Sequence, residues 1–236
     1  MTTVLGFDTA TADTAVAVTA DGTLVAESSR APEAESGRPV HATALLVEVE
    51  GAVDAAGGWP RIDLIAVGVG PGSFTGLRVG IAAARALASA RELPVFGGGT
   101  LATLADGILE RRPGELALAV LDARRGEAFA ALYDGDGREI WPPFVARPDR
   151  LAECVAEVAL EPLAAGDGSL RFRRELEEAG AFVADEGDPV HRVAARRLCQ
   201  LARAAEPTPL ERLQPIYLRK PDAETWRERQ RRDGGG

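Results

Sequence analysis

The chain has 236 residues, 46% of them apolar, and a formal net charge of −9. That length supports one large or two small domains with a packed core, at the composition of an ordinary globular protein. The excess of carboxylates argues against a protein that grips nucleic acid by itself, because phosphate neutralisation supplies most of such affinity; Arg227, Arg229, Arg231 and Arg232 are the local exception.

The longest apolar stretch, residues 80–90, is broken by Arg85 and is too short to span a bilayer. The N-terminus reaches Asp8 without a basic segment, so no signal peptide is expected. Cys154 and Cys199 form no CxxC pair, and the expected location is a reducing cytoplasm without disulfides.

Alternation predicts strands over 4–7, 15–18 and 23–28, the last two joined by a hairpin at Ala20-Asp21-Gly22. Ala42, Leu45, Leu46, Val49, Ala52, Val53 and Ala56 recur at helical spacing, and Gly57-Gly58 ends that helix. A buried strand over 64–69, a helix over 75–90, a short strand over 94–97 and a helix over 100–111 follow. The pattern then restarts. Strands over 116–121, 128–133 and 138–141 enclose turns at Ala123-Arg124-Arg125-Gly126 and Asp134-Gly135-Asp136-Gly137. Leu151, Cys154, Val155 and Val158 mark a helix, followed by strand 163–165, helix 170–178, strand 181–184 and helix 190–205. Asp8 and Asp122 end matching strands before matching hairpins. The expectation is an α/β protein of two similar mixed-sheet lobes flanked by helices, residues 1–112 and 113–206, with a C-terminal arm and disordered tail over 207–236.

Residues 68–80, Gly-Val-Gly-Pro-Gly-Ser-Phe-Thr-Gly-Leu-Arg-Val-Gly, read as a strand end, a glycine turn and a helix start with Ser73 or Thr75 as N-cap. Backbone N–H groups there suit an anion. The phosphate-loop pattern fails for want of a lysine, and Thr75 stands where a dinucleotide loop needs its third glycine. A tight structural turn without a ligand is the alternative. Asp8-Thr9 and Asp122 are similar to the phosphate-facing hairpins of actin-like ATPases, although one aspartate after a strand is common. Ala165-Gly166-Asp167-Gly168 is the nearest candidate for an adenosine loop, or a simple turn. No metal is expected: His41 and His191 are the only histidines, each read as a surface or capping residue. Ser73 lacks the glycine-flanked elbow of a serine hydrolase.

Residues 75–90 carry Gly80, Ala82, Ala83, Ala84, Ala86, Ala88 and Ala90, with Arg78, Arg85 and Ser89 the polar side chains after Thr75. A helix apolar nearly all round is expected to be buried nearly all round, inside this domain or partly against a second protein.

Four stretches, in order, carry a family resemblance: Leu5-Gly6-Phe7-Asp8-Thr9-Ala10-Thr11, Gly70-Pro71-Gly72-Ser73-Phe74-Thr75-Gly76-Leu77-Arg78, Leu121-Asp122-Ala123-Arg124-Arg125-Gly126-Glu127, and Pro215-Ile216-Tyr217-Leu218-Arg219-Lys220-Pro221-Asp222-Ala223-Glu224. The chain resembles the TsaB family of tRNA threonylcarbamoyladenosine biosynthesis proteins. The resemblance implies a duplicated RNase-H-like, actin-like fold of the ASKHA superfamily. It implies a non-catalytic subunit partnering a TsaD-type paralogue, which moves a threonylcarbamoyl group from threonylcarbamoyl-adenylate onto the adenosine beside the anticodon. A TsaE-type ATPase joins them, and tRNA is reached only through the complex. The paralogue's metal is held by a histidine pair; Thr100 and Leu104 stand in the corresponding places, and neither is a strong transition-metal ligand.

On this reading the helices 41–57 and 75–90 dock on the paralogue, or on a second copy as a homodimer. The expected interface residues are Leu45, Val49, Gly70, Gly72, Ser73, Thr75, Gly76, Arg78, Gly80 and Ala83. No cofactor of its own is expected, with ATP or ADP at a shared interface left open. The alternative is an autonomous actin-like ATPase or phosphotransferase holding magnesium nucleotide at Asp8, Thr9 and Asp122.

Overall fold

The computed structural model describes residues 2–158 and 160–219. The first half runs β1 (Thr3–Asp8), β2 (Thr14–Ala20), β3 (Thr23–Arg30), α1 (His41–Ala55), β4 (Leu64–Gly68), α2 (Phe74–Arg91), β5 (Val95–Gly98) and α3 (Thr100–Arg111). The second runs β6 (Ala117–Arg124), β7 (Glu127–Tyr133), β8 (Glu139–Ala146), α4 (Pro148–Glu157), β9 (Leu163–Ala165), α5 (Asp167–Arg171), α6 (Arg173–Glu178), β10 (Phe182–Val183) and α7 (Ala195–Arg203). The sheets order as β3-β2-β1-β4-β5 and β8-β7-β6-β9-β10, the same arrangement twice. In each, the first three strands pair antiparallel through hairpins, and the last two join parallel through helical crossovers. Asp21 and Gly22, both at positive φ, make the two-residue turn that the right-handed strand twist favours.

Period-two alternation gives each sheet two apolar faces. Leu5, Phe7, Val16, Val18, Ile65 and Val67 meet α1 and α2, while Val4, Ala15, Ala17, Leu64 and Ala66 meet α7. In the second sheet Leu118, Val120 and Leu132 meet α4 and α6, while Ala117, Ala119 and Leu121 meet α3. The central helices are therefore exchanged: α3, following the first five strands, covers the second sheet, and α7 covers the first. Gly6 lets α7 come this close, since a Cβ there would lie 2.5 Å from the Cys199 sulfur.

The two exchanged helices are tied by charge. Arg197, buried on α7, pairs with Asp106 at 3.4 Å and with Glu110 on α3, and Arg196 reaches Glu110 at 3.2 Å and Glu27 at 3.4 Å. Such a pair need not stabilise the fold, but deleting one partner strands the other in a low-dielectric interior at about 3–5 kcal/mol.

Two helices differ from the sequence expectation. The helix expected over 170–178 starts at Asp167 and breaks at Phe172, whose φ of −112° leaves the helical region while its ring packs into the second lobe's core. The helix expected from residue 190 starts at Ala195, because Asp188 caps a separate 3-10 turn at Pro189–His191. Among the described residues no helix is long and apolar enough to cross a membrane.

Candidate functional site

The glycine-rich segment packs α2 onto the β1–β2 turn. Ser73 is the N-cap, its Oγ accepting the Gly76 N–H at 3.3 Å, and the Gly70–Pro71 peptide is cis. The Ser73 N–H donates to the Ala10 carbonyl at 2.7 Å, and the Thr9 hydroxyl donates to the Gly76 carbonyl at 2.7 Å. A Cβ on Gly72 would collide with the Ala10 backbone, one on Gly76 with the Thr9 carbonyl, and one on Gly80 with the Thr9 hydroxyl. The glycines are explained by this close approach.

Asp8 is sealed beneath the turn, 1% exposed, accepting from the Ala10 N–H at 2.6 Å and the Thr100 hydroxyl at 2.9 Å. Burial pushes its carboxyl above the usual range, against the pull of those two donors. Thr9 is likewise fully buried. Thr100, at a position where the resemblance puts a metal ligand in the paralogue, thus serves Asp8, and Leu104 lies in the second lobe's core. The histidines are not surface residues. His41 is buried with Nδ1 at 2.8 Å from the Thr14 hydroxyl, and burial lowers its pKa. His191 is buried too, its Nε2 at 3.0 Å from the Asp185 carbonyl and its Nδ1 at 3.2 Å from the Gly166 N–H, holding the turn after β9. Each ring joins a local polar contact that sequence spacing does not display, His41 through Nδ1, with its buried Nε2 unpartnered among the described residues. No group of three His, Cys, Asp or Glu side chains among the described residues is placed to hold a metal.

Between the lobes lies a cleft of about 640 Å³. Its first wall is the α2 N-terminus from Gly72 to Thr75 with Arg78; its second is the β6–β7 hairpin from Leu121 to Arg125 with Asp167. Asp122 lines it but is tied up: it accepts the Arg124 N–H at 2.8 Å, and the Arg171 guanidinium sits at 2.7 Å with that of Arg124 at 3.5 Å. Asp167 accepts the Asp122 N–H at 2.9 Å, and burial, with the neighbouring Asp122 charge, pushes its carboxyl up. Arg124 and Arg125 stand at φ 64° and 55°, in the left-handed region, where an L-residue other than Asn or Asp costs about 1–2 kcal/mol.

The C-terminal arm forms the third wall. Leu213 is buried in the first lobe's core, the Ile216 N–H donates to the Val69 carbonyl at 2.8 Å, and Tyr217 stacks on Phe74 at 5.2 Å. Arg78 lies 3.9 Å above Phe74, on the aromatic face that favours a cation. Arg219 then crosses to Glu127 of the second lobe at 2.8 Å. The remaining motif residues 220–224 and the four tail arginines lie outside the described residues.

An actin-like nucleotide site needs carboxylates free to orient a hydrated magnesium ion. Here Asp8 is sealed off from the cleft and Asp122 is neutralised by two guanidiniums, which leaves Asp167, holding the Asp122 N–H, as the one cleft carboxylate outside an ion pair among the described residues; these do not supply the pair of free hairpin carboxylates of such a site. Sequence reasoning missed Arg124, Arg125, Tyr217 and Arg219 as cleft residues, and Arg171 as the partner of Asp122. The available signal was an Arg-Arg-Gly hairpin turn, where Asn-Gly is the usual chemistry.

On the outer side of the first sheet, α1 and α2 lie together. Leu45 and Val49, expected at an interface, point into the core at 2% and 1% exposure. Leu46 and Val47 point outward at 56% and 66%. On α2, Gly76, Gly80, Ala84 and Ala88 are buried and Ala83 is half-buried. Ala82, Arg85, Ala86 and Ser89 are exposed, so the helix is not covered all round in the isolated chain. Gly70 is buried and Gly72 half-buried under the arm, and Ser73, Thr75 and Arg78 reach the cleft rim.

Two repeated mixed sheets with exchanged central helices and a cleft between them define an actin-like, two-lobed protein. The Thermus thermophilus ROK hexokinase shares that fold at TM-score 0.52 and 16% identity, covering 86% of this chain and all of that one. A family model described as TsaD, tRNA N6-adenosine threonylcarbamoyltransferase, matches residues 32–224. The Escherichia coli tRNA threonylcarbamoyladenosine biosynthesis protein TsaB is 32% identical over 92% of this chain and 94% of its own length. A Pseudomonas aeruginosa structure described as similar to peptidase YeaZ superposes at TM-score 0.77 with 29% identity, covering 93% of this chain and all of that one. The chain belongs to the TsaB family, within the wider group that the TsaD model describes.

Proposed function

We propose that this chain is a non-catalytic subunit in the biosynthesis of threonylcarbamoyladenosine in tRNA, acting in the cytoplasm by docking on a TsaD-type catalytic paralogue. A TsaE-type ATPase joins the pair, and tRNA is engaged through the complex. The observation that carries this reading is the outward pair Leu46 and Val47 beside the alanine-rich outer face of α2: apolar side chains left to water on paired helices suit a partner's helices. The family membership, the sealed Asp8 and the ion-paired Asp122 support it from the side of chemistry, since a subunit whose two hairpin carboxylates are both engaged contributes through surface.

Size-exclusion chromatography of the chain mixed with its paralogue tests the reading. Co-elution is expected for the wild type and its loss for Leu46→Asp with Val47→Asp, the melting temperature staying unchanged because both side chains are already in water. Separate elution of the two folded wild-type proteins would remove the reading's support, and co-elution surviving the double substitution would move the interface elsewhere. The same face offers a second copy the same contacts, so the free chain is expected to self-associate reversibly until the paralogue displaces the copy.

A further inference from the structure

We infer that the C-terminal arm is a strap that holds the two lobes at one fixed separation across the cleft. Before the arm, the chain crosses between the lobes twice, as it enters α3 and as it enters α7. Those two helices lie together, joined by Arg197 with Asp106 and Glu110. Lobes that meet along such a seam can rotate about it unless something spans the gap elsewhere.

The arm spans it. On the first lobe it is fastened at four places in succession. The Thr208 N–H donates to the Val95 carbonyl at 2.6 Å, and the Thr208 hydroxyl accepts the Gly97 N–H at 3.1 Å. Leu213 is buried in the core, the Ile216 N–H reaches the Val69 carbonyl, and Tyr217 stacks on Phe74. The first lobe is shaped to seat this segment. A Cβ on Gly97 would come within 2.9 Å of the Leu213 side chain, and one on Gly70 within 3.2 Å of the Ile216 carbonyl. The next two residues belong to the other lobe. Leu218 packs against the apolar cluster of α3 and the second sheet, and the Arg219 guanidinium donates to the Glu127 carboxylate at 2.8 Å.

The absence of slack decides what these contacts do. Tyr217 and Leu218 are neighbours, with Cα atoms about 3.8 Å apart, so no loop separates the last hold on one lobe from the first hold on the other. The lobes cannot part by more than that reach unless one end lets go. The short end goes first, because it has one half-buried leucine and one ion pair against four fastenings. An ion pair with side chains 27% and 33% exposed contributes little alone; here it closes an arm whose other end is already fixed. Tyr217 also carries the strap onto α2, its hydroxyl 3.4 Å from Arg78 Nε.

This inference is independent of the docking reading. The test measures the distance between the lobes by double electron–electron resonance in the full chain. Spin labels are placed at Ser29→Cys on β3 and Ala156→Cys on α4, both exposed, with Cys154→Ser, and unlabelled chain is added in excess so that each measured pair lies within one molecule. Cys199 is fully buried and escapes labelling. One narrow distance distribution is expected for the wild-type arm. Arg219→Glu, which sets two carboxylates against each other, should add a second population several ångströms away, and Leu218→Asp should enlarge it. The exchange of Arg219→Glu with Glu127→Arg should restore the single narrow distance, which a merely local disturbance of the arm would not do. Should Leu218→Asp unfold, the charge reversal and its exchange carry the test alone. A broad distribution in the wild type, a narrow one unchanged by the folded single variants, or breadth that the exchange fails to remove overturns the proposal.

Discussion

The two lobes repeat one sheet order, yet their equivalent hairpins have opposite fates. In the first lobe, Asp8 ends β1 and disappears under the β1–β2 turn, sealed by glycines of α2 and by the Thr100 hydroxyl. In the second, Asp122 ends the corresponding stretch and lines the cleft, held by Arg171 of α5 and by Arg124 beside a strained turn. Duplication supplied the same frame twice, and local packing decided which aspartate was sealed beneath a turn and which lines the cleft. A shared fold therefore says where a site lies, while its chemistry is set by the few side chains at the hairpin.

The largest test of this contrast is Gly76→Ala. A Cβ there meets the Thr9 carbonyl, a backbone atom that cannot swing aside. The α2 N-terminus must shift, at about 3 kcal/mol, the upper part of the range for overpacked sites. Gly107→Ala on α3, with nothing within 4 Å of the added carbon, is the control and should instead stabilise by about 0.5–1 kcal/mol, as alanine does over glycine inside a helix. Urea denaturation of the two variants checks both signs. Equal effects would mean that the glycine loop is looser than the contact implies.

Next comes Asp8→Asn, read against pH. Burial raises the folded carboxyl above 3.8, so the native state binds the proton more tightly than the unfolded chain. Its contribution to stability is then present below the unfolded pKa and lost as pH rises through the folded one. Asparagine keeps the acceptor for the Ala10 N–H and removes the titration. The wild type should therefore gain on the variant in melting temperature as pH falls from 7 towards 4. His41, whose pKa burial lowers, pulls the wild type the other way on acidification but cancels between the two proteins. A gap independent of pH would place Asp8 in contact with water.

The strand–helix order and the repeat were legible in the sequence because both are written in apolar periodicity, as in Leu5 and Phe7 or in Ala42, Leu45, Val49 and Ala52. The GPG turn and the Ser73 cap were legible as well, since glycine and serine have local roles. What was not legible depends on contacts far along the chain. Periodicity says that Leu45 and Val49 share an apolar stripe, but it does not tell an inward stripe from an interface, and the core took it. The exchange of α3 and α7 between sheets leaves no local trace. Asp8 and Asp122 look alike in sequence; their difference rests on Thr100, Arg171 and the α2 glycines, each distant in the chain.

The smallest expected stability effect belongs to Asp122→Asn, and it gives the sharpest reading of the contrast. Arg171 and Arg124 have side chains 46% and 71% exposed and Asp122 one that is 8% exposed; guanidiniums this open stay solvated without the carboxylate, and asparagine keeps the acceptor for the Arg124 N–H, which holds the loss to about 1 kcal/mol. Melting should hardly move. Removing the carboxylate, however, leaves two guanidiniums without their counter-charge beside the cleft, so the melting temperature should rise with added salt more steeply than that of the wild type. Asp8→Asn, in the sealed hairpin, should leave that salt dependence unchanged. If both substitutions altered the salt dependence alike, the first hairpin would share the cleft after all, and the division of labour between the lobes would fail; if neither did, solvent alone would be balancing Arg171 and Arg124.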